Sequence, residues 1–243
     1  MRHLLTIFLI LIPGINNSQI TDFSEADNYV LSLKADRDIP VKDLAEKLTA
    51  PFSSDLLKTR AIFTWIAANI EYDHSKVVPG FMTSYPSDLE EAFNAFKNRK
   101  GDCRGYSQLF KYMLGESGIK CRFIRGFAGK DIKEVFPQTP NHAWNAVKIN
   151  DEWHLFDVTW ASGPEGKVNY TWFMTDPGIF NQNHYPLNAR TYRRLFPALP
   201  PSSGLRSLDE GGPPSSGLRS PALPDEALAK SVAKEARPLF ILT

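Results

Sequence analysis

The sequence predicts an α+β fold in which N-terminal helices and one later helix pack on an antiparallel β-sheet. Apolar residues recur at spacings of three and four positions in several segments before position 115, which indicates amphipathic helices. Three segments between positions 119 and 160 instead alternate in the manner of half-buried strands. The pair Asn150-Asp151 separates the last two segments, and both residue types tolerate the positive φ of a tight hairpin.

The composition indicates a globular protein with one sizeable core, since 42% of the 243 residues are hydrophobic and 12% are aromatic. The 28 basic and 27 acidic residues leave a net charge of +1, and no long run of either sign occurs. We therefore expect neither a nucleic-acid partner nor binding to a charged membrane surface.

Residues 1–18 have the pattern of a secretory signal peptide. Arg2 and His3 precede a nine-residue apolar run at positions 4–12, and Pro13 breaks that run. A bilayer span needs roughly 20 apolar residues, so a signal-peptide core is favoured over a membrane anchor. We expect cleavage near Ser18, a secreted or periplasmic protein, and no stable membrane insertion after cleavage.

Helical spacing predicts helices over 24–33 and 41–50, within an N-terminal helical segment of residues 19–53, and a third helix over 54–70. We assign Trp65 of the third helix to the core. The segment 72–85 is polar, is broken by Pro79-Gly80, and is interpreted as a loop. Ser87 and Glu90 then fit a capping box that opens a helix to about position 97.

The most informative stretch is a cysteine flanked by glycines: Gly101-Asp102-Cys103-Arg104-Gly105-Tyr106. It comes directly before an apolar-periodic segment that runs to Leu114, so Cys103 lies at the start of a helix. The unpaired N–H groups and the positive dipole end at that position favour the thiolate, which is the reactive form of the side chain. We interpret Asp102 as the N-cap of this helix.

The hairpin centred on Asn150-Asp151 predicts a second part of the site. Strands over 119–127, 142–149 and 152–160 are expected, and the hairpin register makes His142 and Asp157 diagonal neighbours on one face. A hydrogen bond between them would fix the tautomer of the imidazole and stabilise the imidazolium. His154 points to the other face and is interpreted as a structural histidine.

These residues are the parts of a thiol acyl-transfer site: Cys103 as nucleophile, His142 as general base and Asp157 as the orienting acid. The thiolate would attack an amide carbonyl, and water or an amine would resolve the thioester. The backbone N–H of Cys103 is one expected donor to the oxyanion. The candidates for a second donor are Tyr72, Asn98 and Gln138.

The chain resembles the transglutaminase-like superfamily through three motifs in order, which are Gly101 to Ser107, Asn141 to Val147, and Trp153 to Trp160. Within it, the motifs look most like the branch that contains kyphoscoliosis peptidase and many exported bacterial proteins. The resemblance spans about Ser54 to Tyr185 and implies a papain-like fold with Cys103, His142 and Asp157 as the triad. We assign the catalytic domain to residues 54–196 and expect no cofactor and no metal. The calcium-binding and flanking β-sandwich regions of animal tissue transglutaminases have no counterpart.

Several alternatives stay open at this point. Cys103 and Cys121 could form a disulfide in an exported protein, or bind zinc with His142 and His154, although no CxxC or HxxxH spacing favours zinc. A cysteine peptidase or amidase acting on a protein or peptide is favoured. Transglutaminase-type amine transfer and a non-catalytic protein-binding module are the other functions considered. The sequence does not indicate the oligomeric state.

The C-terminal part of the chain has weaker signals. Residues 170–174 are expected to form a strand, followed by a polar segment to Pro186. Residues 197–243 are rich in proline, serine and glycine, and the octapeptide at 200–207 returns unchanged at 213–220. This composition predicts a disordered tail. Because the repeat begins where further strands were expected, the sheet is predicted to lack an edge strand.

Overall fold

Five helices form the N-terminal half of the fold in the computed structural model, which describes residues 21–33, 39–76, 87–129 and 140–197. Helices α1 (Ser24–Ser32), α2 (Val41–Thr49) and α3 (Asp55–Asn69) match the predicted helices to within one or two residues at each end. Every residue from 59 to 67 in α3 is buried, so this helix forms the centre of the core. The predicted signal peptide and the repeat-rich tail lie outside the described residues.

The segment before the cysteine consists of helix α4, with Ser87 as its N-cap and Arg99 as its C-cap, and a short strand pair. The Ser87 hydroxyl accepts the N–H of Glu90 at 3.0 Å and begins α4 (Asp88–Asn98), as the capping box predicts. Arg99 then takes a left-handed conformation with φ of 51° and reverses the chain. Strand β2 (Lys100–Gly101) pairs in parallel with β1 (Glu71–Tyr72), and α5 (Cys103–Glu116) follows directly.

A four-stranded antiparallel sheet completes the fold, in the order β5-β4-β3-β6. Its strands are β3 (Cys121–Ala128), β4 (His142–Ile149), β5 (Glu152–Phe156) and β6 (His184–Pro186). Asn150 and Asp151 have φ values of 51° and 66° and connect β4 to β5. Ile149 pairs with Glu152 and Asn145 with Phe156, so the predicted hairpin register is confirmed.

The strand predicted over 152–160 is shorter than expected, and the strand predicted over 170–174 is not formed. Strand β5 ends at Phe156, and residues 158–161 form helix α6 (Val158–Ala161) instead of extending the strand. The cause is Asp157, whose Oδ1 accepts the N–H groups of Thr159 and Trp160, both at 3.0 Å. Residues Tyr170–Trp172 form a 3₁₀ turn rather than a strand, because the side chain of Asn169 caps that turn.

The segment predicted as polar up to Pro186 ends in a strand, β6, which forms an edge of the sheet. Strand β6 pairs with β3 at three positions, which are Gly126 with Pro186, Phe127 with Tyr185, and Ala128 with His184. A proline is tolerated in β6 because this strand lies at the edge of the sheet. Helix α7 (Pro177–Phe180) precedes β6 and helix α8 (Ala189–Leu195) follows it.

The sheet separates two clusters of buried residues. On one side lie helices α1 to α5, with an aromatic group in which the Phe63 ring lies 5.9 Å from Phe110 and 5.2 Å from Phe173. On the other side a smaller cluster contains Trp144, Leu155, Phe180, Tyr192 and Phe196. Strand β4 is therefore covered on both faces, which shields its first residue, His142, from water. None of the helices in the described ranges combines the length and apolar character needed to cross a bilayer.

Candidate active site

Cys103 is the first residue of α5 and only 4% of its surface is exposed. The Oδ1 atom of Asp102 accepts the N–H groups of Arg104 at 3.1 Å and Gly105 at 3.0 Å, which confirms Asp102 as the N-cap. The cap therefore uses the N–H groups of the second and third helical residues. The N–H of Cys103, the first residue of the helix, belongs to the same helix terminus and is not one of the groups that Asp102 binds.

Two hydrogen bonds fasten α5 to β4 beside the cysteine. The Ser107 hydroxyl donates to the carbonyl of Ala143, and the Asn145 side chain donates to the carbonyl of Ser107, both at 3.1 Å. Ser107 lies one helical turn after Cys103, and Ala143 follows His142 directly. These two hydrogen bonds thus place the thiol next to the imidazole, close enough for Cys103 to raise the pKa of His142.

His142 also contacts Asp157, as the hairpin register predicts. Its Nε2 atom lies 2.6 Å from Oδ2 of Asp157, and the two side chains are 7% and 0% exposed. The carboxylate reaches the ring from the N-cap of α6 and not from within a strand. Because Nε2 is used by Asp157, Nδ1 is the ring nitrogen available to Cys103. The three residues named from the sequence are therefore brought together.

His142 and Asp157 shift each other's pKa in the directions that favour the charged forms. Burial alone would lower the pKa of His142, but the Asp157 carboxylate and the hydrogen bonds to Asp157 and Cys103 raise it to about 10. Burial opposes ionisation of Asp157 as well, yet the adjacent imidazoles lower its pKa below the usual range. The arrangement thus favours a buried imidazolium–carboxylate pair at neutral pH.

A fourth side chain, which was not predicted from the sequence, joins this group. His184 is fully buried in β6, and its Nε2 lies 3.0 Å from the same Oδ2 atom of Asp157. Its Nδ1 lies 2.6 Å from the side-chain oxygen position of Asn183. The only sequence signal was a histidine in a short His-Tyr-Pro segment, and three residues are too few to show strand alternation.

His142, Asp157 and His184 form the one group of three potential metal ligands in the described parts of the chain. Their ligand atoms lie within 4.8 Å of one another, but both Nε2 atoms approach Oδ2 at hydrogen-bond distance, 2.6 and 3.0 Å. Ligands around a zinc ion sit about 2.0–2.2 Å from the metal and therefore well apart from each other. The geometry fits shared protons and does not fit a metal ion.

The alternative roles for the remaining cysteine and histidine are not supported. Cys103 and Cys121 are both free thiols, so the disulfide is not formed. Burial raises the pKa of Cys121 to about 12, and its Sγ accepts a hydrogen bond from Asn145 at 3.4 Å. His154 is half-buried opposite Val147, where desolvation lowers its pKa. Neither Cys121 nor His154 belongs to the group of potential ligands, which also removes the zinc alternative.

Among the candidates for a second oxyanion donor, Tyr72 lies in the strand pair that leads directly to the cysteine. It pairs with Gly101 in the parallel strand pair, and the N–H of Asp73 donates to the Gly101 carbonyl at 2.8 Å. Burial raises the pKa of the Tyr72 hydroxyl, and the charge of Cys103 raises it further. Asn98 is exposed at the end of α4, and Gln138 lies outside the described residues.

Comparison with known proteins finds a family match over the residues of this site. Residues 42–158 match the family model described as the transglutaminase-like superfamily. The chain contains a transglutaminase-like domain. The matched segment includes Cys103 and His142 and ends one residue after Asp157, so it covers the whole predicted triad. The predicted fold class, with α5 packed on an antiparallel sheet, is confirmed for this transglutaminase-like domain.

The relatives that this chain matches are considerably longer. Kyphoscoliosis peptidase of Homo sapiens is 29% identical over 204 residues, which are 78% of this chain and 29% of that protein. Hillarin of Drosophila melanogaster is 24% identical over 204 residues, which are 72% of this chain and 24% of that protein. Among solved structures, the periplasmic domain of TgpA from Pseudomonas aeruginosa is 19% identical with a TM-score of 0.38, covering 56% of this chain and 47% of that one. The chain spans less than a third of the length of either relative.

Proposed function

We propose that the transglutaminase-like chain is an exported, thiol-dependent acyl-transfer enzyme, specifically a cysteine peptidase or amidase that acts on protein or peptide amide bonds. The observation that carries the proposal is the buried chain of contacts from Cys103 through His142 to Asp157. A relative named as a peptidase is 29% identical over the region that holds all three residues. The signal-peptide pattern of residues 1–18 supports the exported destination.

The proposed reaction begins with the thiolate of Cys103 and the imidazolium of His142. The sulfur attacks the amide carbonyl carbon, and the oxygen becomes an oxyanion that accepts the N–H of Cys103 and, in the proposal, the hydroxyl of Tyr72. His142 then gives its Nδ1 proton to the leaving amine, and the C–N bond breaks to leave a thioester. In the second half, His142 takes a proton from water, the hydroxide attacks the thioester, and the thiolate leaves.

Asp157 keeps the imidazole in the orientation that this sequence of steps requires. Its Oδ2 holds Nε2 of His142 at 2.6 Å while two backbone N–H groups hold Oδ1. The carboxylate stabilises the positive charge on the ring without itself taking the proton. The imidazole can therefore exchange a proton only through Nδ1, on the side of the thiol.

Site-mapped labelling with a cysteine-reactive acyl probe tests the proposal. The mature protein is treated with the probe, and wild type is compared with His142→Ala and with Cys121→Ala as the matched control. We expect modification of Cys103, a rate roughly 10²-fold or more lower in His142→Ala, and no change in Cys121→Ala. If Cys103 reacts no faster than an ordinary free thiol and His142→Ala changes nothing, the enzyme proposal is wrong and a binding module is favoured.

The fate of the thioester separates hydrolysis from amine transfer. The protein is incubated with a casein-type substrate and a labelled primary amine, and two products are measured. We expect new amino termini without incorporation of the amine. Incorporation of the label into glutamine side chains without new amino termini would assign the amine-transfer reaction instead.

A further inference from the structure

We infer that His184 is a positioning residue for the proposed reaction, because its Nε2–H holds the Asp157 carboxylate from the side that His142 leaves open. The reactive unit is then a chain of four side chains, Cys103, His142, Asp157 and His184. The inference rests on the proposed function, since it assigns a role within the same site. His184 lies outside the segment 42–158 that matches the family model.

Asp157 has a full set of hydrogen-bond donors only when His184 is counted. Oδ1 accepts two backbone N–H groups at 3.0 Å, and Oδ2 accepts the two imidazoles at 2.6 and 3.0 Å. A carboxylate oxygen has two lone-pair sites, so these four donors occupy the whole group. Without His184, one lone pair of a completely buried carboxylate would lose its partner, and buried polar groups of this kind are costly.

The protons on His184 follow from its surroundings. Burial lowers its pKa and the positive charge of His142 lowers it further, while the hydrogen bond and charge of Asp157 oppose this shift only in part, so the ring is neutral near pH 7. An ionised carboxylate only accepts, which assigns the single ring proton to Nε2. Nδ1 lies 2.6 Å from the side chain of Asn183, and the ring also lies near the backbone carbonyl of Phe180.

Aromatic rings fix the orientation of the His184 imidazole. Four ring centroids lie within 5.4 Å of its own, namely Phe180 at 3.9 Å, Trp160 at 4.5 Å, Trp144 at 5.1 Å and Trp172 at 5.4 Å. This enclosure leaves the ring with no exposed surface. Water cannot replace the Nε2–H donor there, so the orientation of Asp157 depends on the imidazole itself.

The hydrogen bond from His184 affects the proposed reaction through the Asp157 carboxylate. The second donor fixes the rotation of the carboxylate and favours its ionised form at acidic pH. Loss of that donor would allow Asp157 to take a proton at higher pH and would loosen its bond to His142. The other ionisable groups that face this carboxylate are His142 from β4 and Tyr72 from β1, and Cys103 from α5 faces both of these groups. These groups are unchanged in variants of His184.

Two variants of His184 separate its hydrogen bond from its packing. His184→Gln can place an amide N–H near the position of Nε2, whereas His184→Leu fills the space without a donor. The rate constant for iodoacetamide labelling of Cys103 is measured against pH at equal folded fraction. We expect Cys103 to be labelled roughly ten- to hundred-fold more slowly in His184→Leu than in wild type, and the fall in its labelling rate at acidic pH to begin at a higher pH. His184→Gln should recover most of the labelling rate and most of the wild-type pH dependence.

The outcomes distinguish failure of this inference from failure of the proposed function. If labelling of wild type depends on His142 but His184→Leu matches wild type in rate and acidic limb, only the role of His184 is refuted. If wild type itself shows no dependence on His142, the proposed enzyme is refuted first. Equal losses in His184→Gln and His184→Leu, with an unmoved acidic limb, would show that His184 only packs.

A measurement on wild type covers the case in which the variants do not fold. Nitrogen-15 chemical shifts of the imidazole rings report which ring nitrogen carries a proton. From about pH 6 to about pH 8 we expect a neutral His184 protonated at Nε2, beside a doubly protonated His142. A His184 ring protonated only at Nδ1 would contradict the inference.

Discussion

At the scale of single residues, the surroundings of Asp157 determine the charge of the two neighbouring imidazoles, His142 and His184. One carboxylate holds two histidines, yet it affects them unequally, because His142 also contacts Cys103 while His184 is enclosed by aromatic rings. The pKa of His142 is raised to about 10 and the pKa of His184 is lowered. Two residues of the same type therefore carry different charges a few ångströms apart.

The raised pKa of His142 predicts how stability depends on pH. Its usual pKa is 6.5, and its folded-state value is about 10, so its stabilising contribution is complete below 6.5 and is lost as the pH rises through about 10. We compare the free energies of unfolding by urea of two proteins, the single variant Cys103→Ala and the double variant Cys103→Ala/His142→Gln. Both lack the thiol, so its titration does not contribute to the difference between them. The difference between them should shrink from about pH 6 to about pH 10. A difference that grows over this range would show that His142 is neutral in the folded protein.

Tyr72 provides a second prediction at this scale. An oxyanion donor acts on the carbonyl oxygen in acyl transfer, whereas alkylation by iodoacetamide forms no oxyanion. Tyr72→Phe should therefore lower kcat for amide hydrolysis roughly 10²-fold and leave the alkylation rate of Cys103 nearly unchanged. Equal reductions in both rates would indicate that Tyr72 acts on the thiol instead.

At the scale of elements, the contacts between neighbouring strands decide how close the site residues come. Gly126 of β3 lies opposite His142 on one side and Pro186 on the other. A Cβ atom there would lie 2.4 Å from the Trp144 ring and 2.2 Å from the carbonyl oxygen of Tyr185. The absence of a side chain at this position therefore allows β6 to approach with His184.

Gly126→Ala should accordingly weaken both the fold and the site. We expect a loss of about 1–3 kcal/mol in the free energy of unfolding, because backbone and a buried indole must both move. Gly115→Ala is the matched control, since a Cβ at that position in α5 meets nothing within 4 Å and should stabilise the helix slightly. Thermal unfolding of the two variants checks the contrast, and equal effects would contradict the close approach of β6.

At the scale of the whole molecule, an ion pair between the buried Arg60 and the partly buried Asp27 joins the N-terminal helices to the rest of the fold. Arg60 of α3 donates two hydrogen bonds to Asp27 of α1, at 2.8 and 2.7 Å. The guanidinium carbon also lies 3.4 Å from the centroid of the Tyr170 ring and 4.7 Å from that of Phe173. Segments more than a hundred residues apart in the chain thus meet at one side chain.

Removing one partner of this pair should be costly. Asp27→Ala leaves the Arg60 charge buried, so we expect a loss of about 3–5 kcal/mol in the free energy of unfolding, measured with urea. Glu46→Ala is the control, because its ion pair with Lys42 is exposed on α2 and should contribute at most about 0.5 kcal/mol. A cost for Asp27→Ala as small as that of the control would show that α1 is only loosely attached.

The sequence alone predicted features that depend on residues close together in the chain. The caps formed by Ser87 and Asp102 follow from side chains two or three positions from the N–H groups they bind. The register of β4 and β5 follows from the two turn residues, and it correctly brought His142 to Asp157. Hydrogen bonds of this kind close over a few residues, so local sequence determines them.

The tertiary structure decided the rest. Asp157 was predicted on a strand and instead caps a helix, because hydrogen bonds to the N–H groups of Thr159 and Trp160 outweigh the local alternation. Strand β6 has three residues, too few for a periodic signal, and forms only because β3 offers an open edge with Gly126 at the crossing. His184 reaches Asp157 through that pairing, across 27 positions of the chain. The sequence thus determined which chemical groups are present and how neighbouring residues fold, while long-range packing against the sheet determined that a second histidine shares the carboxylate.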